Sequence, residues 1–189
     1  MIRLPQNAAL IVVDVQKGFD HPKWGARNNP GAEEKIAEML AAWRETGRPV
    51  FHVQHLSTLE NSPLHPRNPG YELKEIARPA GNEPLFQKNV KSAFIGTQLE
   101  NSLRARGVKT VFIVGLTTPH CISTSVRMAG NLGFEVFVPA DAVAAFELTG
   151  PDGKRYSAEE VHNFSLASLH EEFATVVDSK TILDSLQQT

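Results

Sequence analysis

The feature that most constrains this chain is the alternation of short apolar runs with longer amphipathic stretches. The clearest run, Ala8–Val13, contains no polar residue, which is typical of a strand buried on both faces of a parallel sheet. Further strands are predicted at Val50–His55, Thr110–Val114 and Glu135–Val138. Because helical stretches alternate with these strands, the pattern predicts βαβ units and an α/β protein.

Shorter segments complete the predicted order of elements. One more strand ends near Phe86–Lys88 and another covers Phe173–Val177, which makes six strands in all. Apolar spacing and terminal glycines predict helices at Gly31–Thr46, Thr97–Arg106, Pro119–Asn131, Ala158–His170 and from Ser179 onward. With 189 residues, 41% of them hydrophobic, we expect one domain over residues 1–189.

The charge balance and the single cysteine exclude several classes of protein. The formal net charge of −2 provides no attraction for nucleic acid or for an anionic membrane. No apolar stretch is long enough for a membrane span or a secretory signal. One cysteine cannot form a disulfide within the chain or a cysteine-rich zinc site. We therefore expect a cytoplasmic protein that binds a small molecule.

Two connections, residues 16–30 and 56–84, are longer than usual and rich in proline, glycine and asparagine. Long connections in a compact domain are commonly functional or disordered. Both follow strands, so both leave the carboxyl edge of the sheet, where open α/β sheets bind ligands. A ligand site is therefore predicted at this edge. The turn-rich segment Glu147–Tyr156 is a candidate either to close the site or to form a subunit contact.

Asp14 is the first polar residue after the apolar strand, which places it at the carboxyl edge of the predicted sheet. A carboxylate at this position caps a turn, reaches solvent or pairs with a cation. Gln16 follows two residues later, so an extended chain would present both side chains on the same side. Asp14 is thus a candidate catalytic residue and Gln16 a candidate substrate ligand.

The sole cysteine lies where a predicted strand passes into a predicted helix. Thr118 is a suitable N-cap and Pro119 suits the first helical position, which puts Cys121 in the first turn. Free N–H groups and the positive end of the helix dipole lower the pKa of a thiol there and can bind an oxyanion. Cys121 is a candidate nucleophile, although a packing cysteine on a buried helical face fits the same pattern.

Two lysines, Lys88 and Lys91, end or follow the third predicted strand. An ammonium beside Cys121 would stabilise a thiolate and would itself be held by Asp14. Surface solvation is the ordinary fate of a lysine, and the residues alone leave the choice between the two open.

Three segments resemble the motifs of the isochorismatase-like cysteine hydrolases, a family that includes nicotinamidase-related amidohydrolases. They are ALIVVDVQKGF at Ala9–Phe19, KNVKSAFIGT at Lys88–Thr97 and GLTTPHCISTS at Gly115–Ser125, with Asp-Ala at residues 141–142 after the next strand. They occur in the family's order and span nearly the whole chain. The family's lysine stands four residues before the serine of Ser-Ala-Phe, which selects Lys88 over its neighbour.

The resemblance implies a three-layer α/β/α fold with a six-stranded, mostly parallel sheet in the order 3-2-1-4-5-6. It implies a catalytic triad of Asp14, Lys88 and Cys121. It also implies a cis peptide at Leu116–Thr117 and an oxyanion hole formed by the backbone N–H groups of Thr117 and Cys121. The family further implies a homo-oligomer, dimer or tetramer, and no cofactor.

The presence of the cysteine narrows the reaction that the resemblance implies. Members that cleave the vinyl ether of isochorismate often lack it, so Cys121 favours hydrolysis of an amide, ureido or carbamoyl C–N bond through a thioester.

Seven histidines raise the question of a metal site. Nicotinamidases of this superfamily bind a metal through an Asp-x-His pair after the second strand, where this chain has His52-Val-Gln-His55. Residues three apart on a strand face opposite sides, so His52 and His55 do not readily share an ion, and His65 would join them only by a loop excursion. We expect no metal, with a metal-assisted nicotinamidase-type amidase as the alternative. His162 and His170 are expected to be structural.

Several side chains in the predicted loops are candidate substrate contacts. Phe19 and Trp24 offer aromatic walls and Arg27 offers a partner for a carboxylate. His55 at a strand end and His120 beside the cysteine are further candidates. Packing within loops explains the same residues equally well.

Two rival functions fit a fold of this class. A nucleotide-binding module would need a glycine-rich phosphate loop after the first strand, and Asp14–Gly18 is not one. A catalytically silent binding or scaffold protein would keep the fold without a reactive thiol.

Overall fold

A parallel β-sheet forms the centre of the protein, described over residues 4–186 by a computed structural model. The strands are β1 (Ala9–Val13), β2 (Val50–His55), β3 (Leu85–Lys88), β4 (Thr110–Leu116), β5 (Glu135–Pro139), β6 (Val143–Ala144), β7 (Leu148–Thr149), β8 (Arg155–Tyr156) and β9 (Thr175–Val177). The order β3-β2-β1-β4-β5-β9 confirms the predicted arrangement, with β9 as the predicted sixth strand.

Two features of the strands were not predicted. The short strand β6 pairs with β4 on the same edge as β5 but nearer the carboxyl end, which makes a seventh strand in the sheet. Within the segment predicted to be turn-rich, β7 and β8 form a small antiparallel hairpin.

Helices cover both faces of the sheet, as the predicted three-layer architecture requires. They are α1 (Ala32–Glu45), α2 (Leu99–Ala105), α3 (Ser123–Asn131), α4 (Ala158–Ala167) and α5 (Ser179–Leu186). Helices α1 and α5 pack on one face, and α2, α3 and α4 pack on the other. Over residues 4–186, none of these helices has the length and apolarity that a bilayer span requires.

Alternate residues of β1 enter the two halves of the core, which explains why the strand is apolar throughout. Ile11 and Val13 pack with α2 and α3, whereas Leu10 and Val12 pack with α1. On the α1 side, the buried Trp43 lies 5.1 Å from the Phe112 ring, and its Nε1 donates a hydrogen bond to the Ala8 carbonyl at 3.0 Å. Burying its polar edge with a partner avoids the cost of an unpaired donor.

The helix predicted from Pro119 starts differently from the expectation. Residues Thr118–Ile122 form a π-helical turn before α3, in which the N–H of Ile122 donates to the Thr117 carbonyl at 3.2 Å. The prediction that Thr118 is an N-cap is wrong, because its buried hydroxyl pairs with Nδ1 of His162 on α4 at 3.0 Å. Helix α4 begins with an N-cap at Ser157, which forms a capping box with Glu160.

Gly115 is the point at which β4 comes closest to β1. Its φ is +124°, and a Cβ at this position would lie 1.9 Å from the carbonyl oxygen of Val13. No side chain can be accommodated there without separating the two strands. Because Asp14 follows Val13 directly, this contact also sets the position of the carboxylate at the sheet edge.

We expect Gly115→Ala to lower the free energy of unfolding by about 3 kcal/mol or more, because it adds a backbone clash to an unfavourable φ. Thermal or denaturant unfolding measures the effect. Gly31→Ala is the matched control, since its φ is ordinary and its Cβ would meet only a flexible glutamate end at 3.6 Å. Equal stability of the two variants would contradict the assignment of Gly115 as a close-contact position.

Candidate active site

Three elements bring Asp14, Lys88 and Cys121 together at the carboxyl edge of the sheet. Asp14 follows β1, Lys88 ends β3, and Cys121 lies in the turn after β4. The Lys88 ammonium donates to Asp14 Oδ2 at 2.7 Å and to Cys121 Sγ at 3.4 Å. All three residues are buried, so the contacts are made without bulk water between them.

Asp14 departs from the extended conformation of its strand. Its φ is +55°, and its carbonyl accepts a hydrogen bond from the Gln16 N–H at 2.9 Å. Its Oδ1 atom has no hydrogen-bond partner among the described residues. Burial raises the pKa of Asp14 above its ordinary value, although the charge of Lys88 opposes the shift. The carboxyl group is therefore a stronger base than an exposed one.

Gln16 was predicted to bind substrate, but its side chain does not line the cavity beside Cys121. Its side-chain amide donates to the carbonyls of His55 and Tyr71, and its Oε1 accepts from the His55 N–H at 2.9 Å. The turn at Asp14 separates the directions of the two side chains, which an extended chain would have kept on one side. Gln16 instead fastens the second long loop to β2.

Lys88, and not Lys91, is the lysine that contacts Asp14 and Cys121. Its side chain is fully buried, whereas Lys91 is exposed and makes no contact with Asp14 in the described structure. The ammonium also lies 3.3 Å from Nδ1 of His55. One buried cation therefore links the acid, the thiol and a histidine.

The environment of Cys121 does not favour a resting thiolate. Burial, followed by the negative charge of Asp14, raises the pKa of the thiol to about 12, against the opposing charge of Lys88. The expected lowering of this pKa by a helix start is thus reversed. The environment therefore favours a neutral thiol beside the ion pair of Asp14 and Lys88.

His55 and its neighbours bear on the metal hypothesis. Ligand atoms of Asp14, His55 and Cys121 lie within 4.8 Å of one another. However, the Lys88 ammonium contacts all three side chains, so a divalent cation there would meet a fixed positive charge. His52 points to the other face of β2, where Nε2 contacts Glu83 Oε2 at 2.8 Å. His52 and His55 therefore have different partners and do not share one site.

A cavity of about 190 Å³ opens onto the thiol of Cys121. One wall is aromatic: the Phe19 ring lies 5.7 Å from Trp24 and 6.2 Å from Phe146, and the last two are 5.9 Å apart. His55 and His120 also line the cavity, as expected. The sequence-based interpretation missed other lining residues: Leu64, Lys91, Pro119, Phe146 and Leu148. For two of them the sequence offered an indication: Leu148 lies in the turn-rich segment, and Lys91 follows the third predicted strand.

Arg27 lies outside the cavity that the first long loop helps to form. Its guanidinium pairs with the Glu33 carboxylate and donates to the Pro30 carbonyl. Glu33 also accepts from Lys74 at 2.7 Å, and these partners lower the pKa of Glu33 to about 2 against the effect of burial. Arg27 therefore holds the loop onto α1 and is not available for a substrate carboxylate.

The turn that carries Cys121 forms part of the cavity wall. Thr117 and Cys121 both line it, and the Leu116–Thr117 peptide is cis. The first N–H groups of a helical turn have no intrahelical acceptor, which leaves them available to an oxyanion. Nδ1 of His120 lies 3.1 Å from the Thr117 hydroxyl, which orients the imidazole at the cavity wall.

Comparison with known proteins places this site in a family. The family model described as the Isochorismatase domain matches residues 8–181. The chain belongs to the isochorismatase family. It is 47% identical to the isochorismatase family protein YrdC of Bacillus subtilis (strain 168), over 98% of this chain and 100% of that protein. Nicotinamidase 3 of Arabidopsis thaliana is 30% identical, over 95% of this chain and 88% of that protein.

The fold agrees with that of solved members of the isochorismatase family. A family protein from Chromobacterium violaceum ATCC 12472 superposes with a TM-score of 0.95 at 40% identity, covering 100% of this chain and 98% of that one. Family membership makes this chain a hydrolase.

We expect Asp14→Asn to lower the pKa of the Cys121 thiol by about one pH unit or more, because it removes a buried negative charge and leaves the thiolate as the counterion of Lys88. Ultraviolet absorbance of the thiolate as a function of pH measures the shift. Lys88→Met should move the titration in the opposite direction. Asp152→Asn, on the exposed β7–β8 turn, is the matched control. A titration unchanged in Asp14→Asn would show that the two groups are not coupled.

Proposed function

We propose that this isochorismatase-family hydrolase cleaves the C–N bond of a small amide, ureido or carbamoyl compound through a thioester on Cys121. The observation that carries the proposal is the buried Lys88 ammonium in contact with both the Asp14 carboxylate and the thiol, at a cavity that reaches the sulfur. The nicotinamidase among the relatives supports this class of reaction.

In the first half of the reaction, the Asp14 carboxylate acts as a general base. Asp14 accepts the proton of the Cys121 thiol while the sulfur attacks the carbonyl carbon, and Lys88 stabilises the negative charge on sulfur as it forms. The carbonyl π electrons move to oxygen. Proton transfer to Asp14 is needed because burial and the charge of Asp14 raise the pKa of the thiol, which leaves little free thiolate at neutral pH.

Collapse of the tetrahedral intermediate releases the amine. The electron pair on oxygen re-forms the carbonyl, the C–N bond breaks, and Asp14 returns its proton to the leaving nitrogen. The products of this stage are a thioester on Cys121 and an amine, which for a primary amide is ammonia.

Water completes the reaction. Asp14 takes one proton from the attacking water, the hydroxyl oxygen bonds to the thioester carbon, and the C–S bond breaks. The proton then returns to sulfur, which restores the thiol and gives a carboxylic acid.

The oxyanion of both tetrahedral intermediates would be held by the N–H groups of Thr117 and Cys121. One preorganised donor of this kind lowers the activation free energy by on the order of 3 kcal/mol in other acyl-transfer enzymes. The substrate would be held by side chains that line the same cavity as the sulfur, namely those of Phe19, Trp24, His55 and His120.

We expect Cys121→Ser to reduce ammonia release from a panel of small amides by at least about 10³-fold, because an alcohol is a much weaker nucleophile than a thiol at this position. Asp14→Asn and Lys88→Met should show losses of the same order. Coupled enzymatic detection of ammonia provides the measurement.

Lys109→Gln is the matched control for these variants, since this exposed lysine precedes β4 at the opposite edge of the sheet. Thermal unfolding of each variant separates loss of chemistry from loss of fold. Full turnover by a folded Cys121→Ser protein would exclude the thioester scheme, and a panel on which the wild-type chain releases no amine would favour a catalytically silent binding protein.

We expect exhaustive chelation to leave the turnover unchanged, because Lys88 already supplies positive charge to the three groups that would ligate an ion. Activity before and after dialysis against a chelator provides the test. Loss of activity that returns on adding one divalent metal would favour the metal-assisted alternative.

A further inference from the structure

The cavity beside Cys121 contains an unbalanced positive charge. Lys91 lines it, and no aspartate or glutamate does so within the described residues. Asp14 and Lys88 lie beneath the cavity and compensate each other at 2.7 Å. Burial and the nearby lysines lower the pKa of His55 to about 4, and burial with the charge of Lys91 lowers that of His120. Both imidazoles are therefore neutral at neutral pH.

Lys91 forms no ion pair within residues 4–186. Lys23, Lys109 and Lys154 share this property, but among the described residues Lys91 is the only lysine that lines the cavity, and several other lysines are paired. Lys17 pairs with Glu72 at 2.5 Å, Lys35 with Glu38 at 2.9 Å, and Lys74 lies between two carboxylates. Lys91 is exposed in the segment after β3, three residues beyond Lys88. Its ammonium is thus free to meet an anion at the mouth of the cavity.

The other residues that line the cavity offer no second cation to an anionic group. Phe19, Trp24 and Phe146 form the aromatic wall, and Leu64 and Leu148 add aliphatic surface. An anion brought against such a surface loses hydration without compensation unless a cation accompanies it. Arg27, the cation that the sequence pattern favoured for this purpose, is engaged by Glu33.

We propose that Lys91 binds an anionic substituent of the substrate, so that the preferred substrates are small amides bearing a carboxylate at the end opposite the scissile carbonyl. This inference rests on the proposed function. The cavity volume of about 190 Å³ lies below the roughly 300 Å³ of sites for drug-sized ligands. A compact monoamide of a short dicarboxylic acid therefore matches the site in both size and charge.

Succinamate and succinamide provide a direct test, since the two differ only in whether the far end is a carboxylate or a neutral amide. We expect the wild-type chain to hydrolyse succinamate with a kcat/KM about 10-fold higher than that for succinamide or for nicotinamide. Lys91→Gln should lower kcat/KM for succinamate about 10-fold, chiefly through KM, and change the value for succinamide less than about 2-fold.

Three controls define the role of the charge. Lys91→Arg should retain most of the preference for succinamate, Lys91→Glu should reverse it, and Lys109→Gln should leave it unchanged. Added salt should weaken the preference in the wild type, because a charge at the cavity mouth is screened.

A binding measurement separates this inference from the proposed reaction. We expect Cys121→Ser to bind succinate in calorimetric titrations, and the double variant with Lys91→Gln to bind it about 10-fold more weakly. Equal binding by the two proteins, or equal hydrolysis of both amides by wild type and Lys91→Gln, would overturn the role of Lys91 and leave amide hydrolysis standing. Charge-dependent succinate binding without any amide turnover would support the anion site and refute the proposed reaction.

Discussion

The arrangement of the site depends on the buried contact between the Lys88 ammonium and the Asp14 carboxylate. Removing one partner of such a pair typically costs about 3–5 kcal/mol, because it leaves an uncompensated charge away from water. This requirement ties the end of β3 to the end of β1, across the intervening strand β2. Cys121 enters the same contact from the turn after β4, so three separate strands converge on one cation.

The same contact determines the chemistry available to the thiol. The negative charge of Asp14 raises the pKa of Cys121 while the positive charge of Lys88 opposes it, and burial adds to the first effect. A thiol held neutral in this way is protected from adventitious oxidation, since the thiolate is the reactive form. In the proposed reaction, the thiolate would form only as the sulfur attacks the substrate carbonyl and Asp14 accepts the proton.

The two long loops form the cavity by packing against each other. Gly18 and Gly70 meet backbone to backbone, and a Cβ on Gly70 would lie 2.6 Å from the Cα of Gly18. The backbone of Lys17 donates to the Glu72 carbonyl at 2.9 Å, and Lys74 donates to Val15 at 2.9 Å. These contacts hold the loop that carries Phe19 and Trp24, whose rings line the same small apolar cavity as Cys121 and Lys91.

From its residues alone, the sequence predicted alternating strands and helices and a site at the carboxyl edge of a parallel sheet. The strand order, the layers of helices and the choice of Lys88 over Lys91 followed from the resemblance to the isochorismatase-like hydrolases. Apolar periodicity is a local property, and the carboxyl ends of parallel strands necessarily share an edge. What it could not decide was the direction of each side chain, because that depends on single backbone torsions and on distant partners. The positive φ of Asp14 turns Gln16 away, Glu33 captures Arg27 from α1, and His162 on α4 takes the hydroxyl of Thr118. The charge balance of the cavity, in which Lys91 alone has no partner among the described residues, likewise exists only once the loops are packed around it.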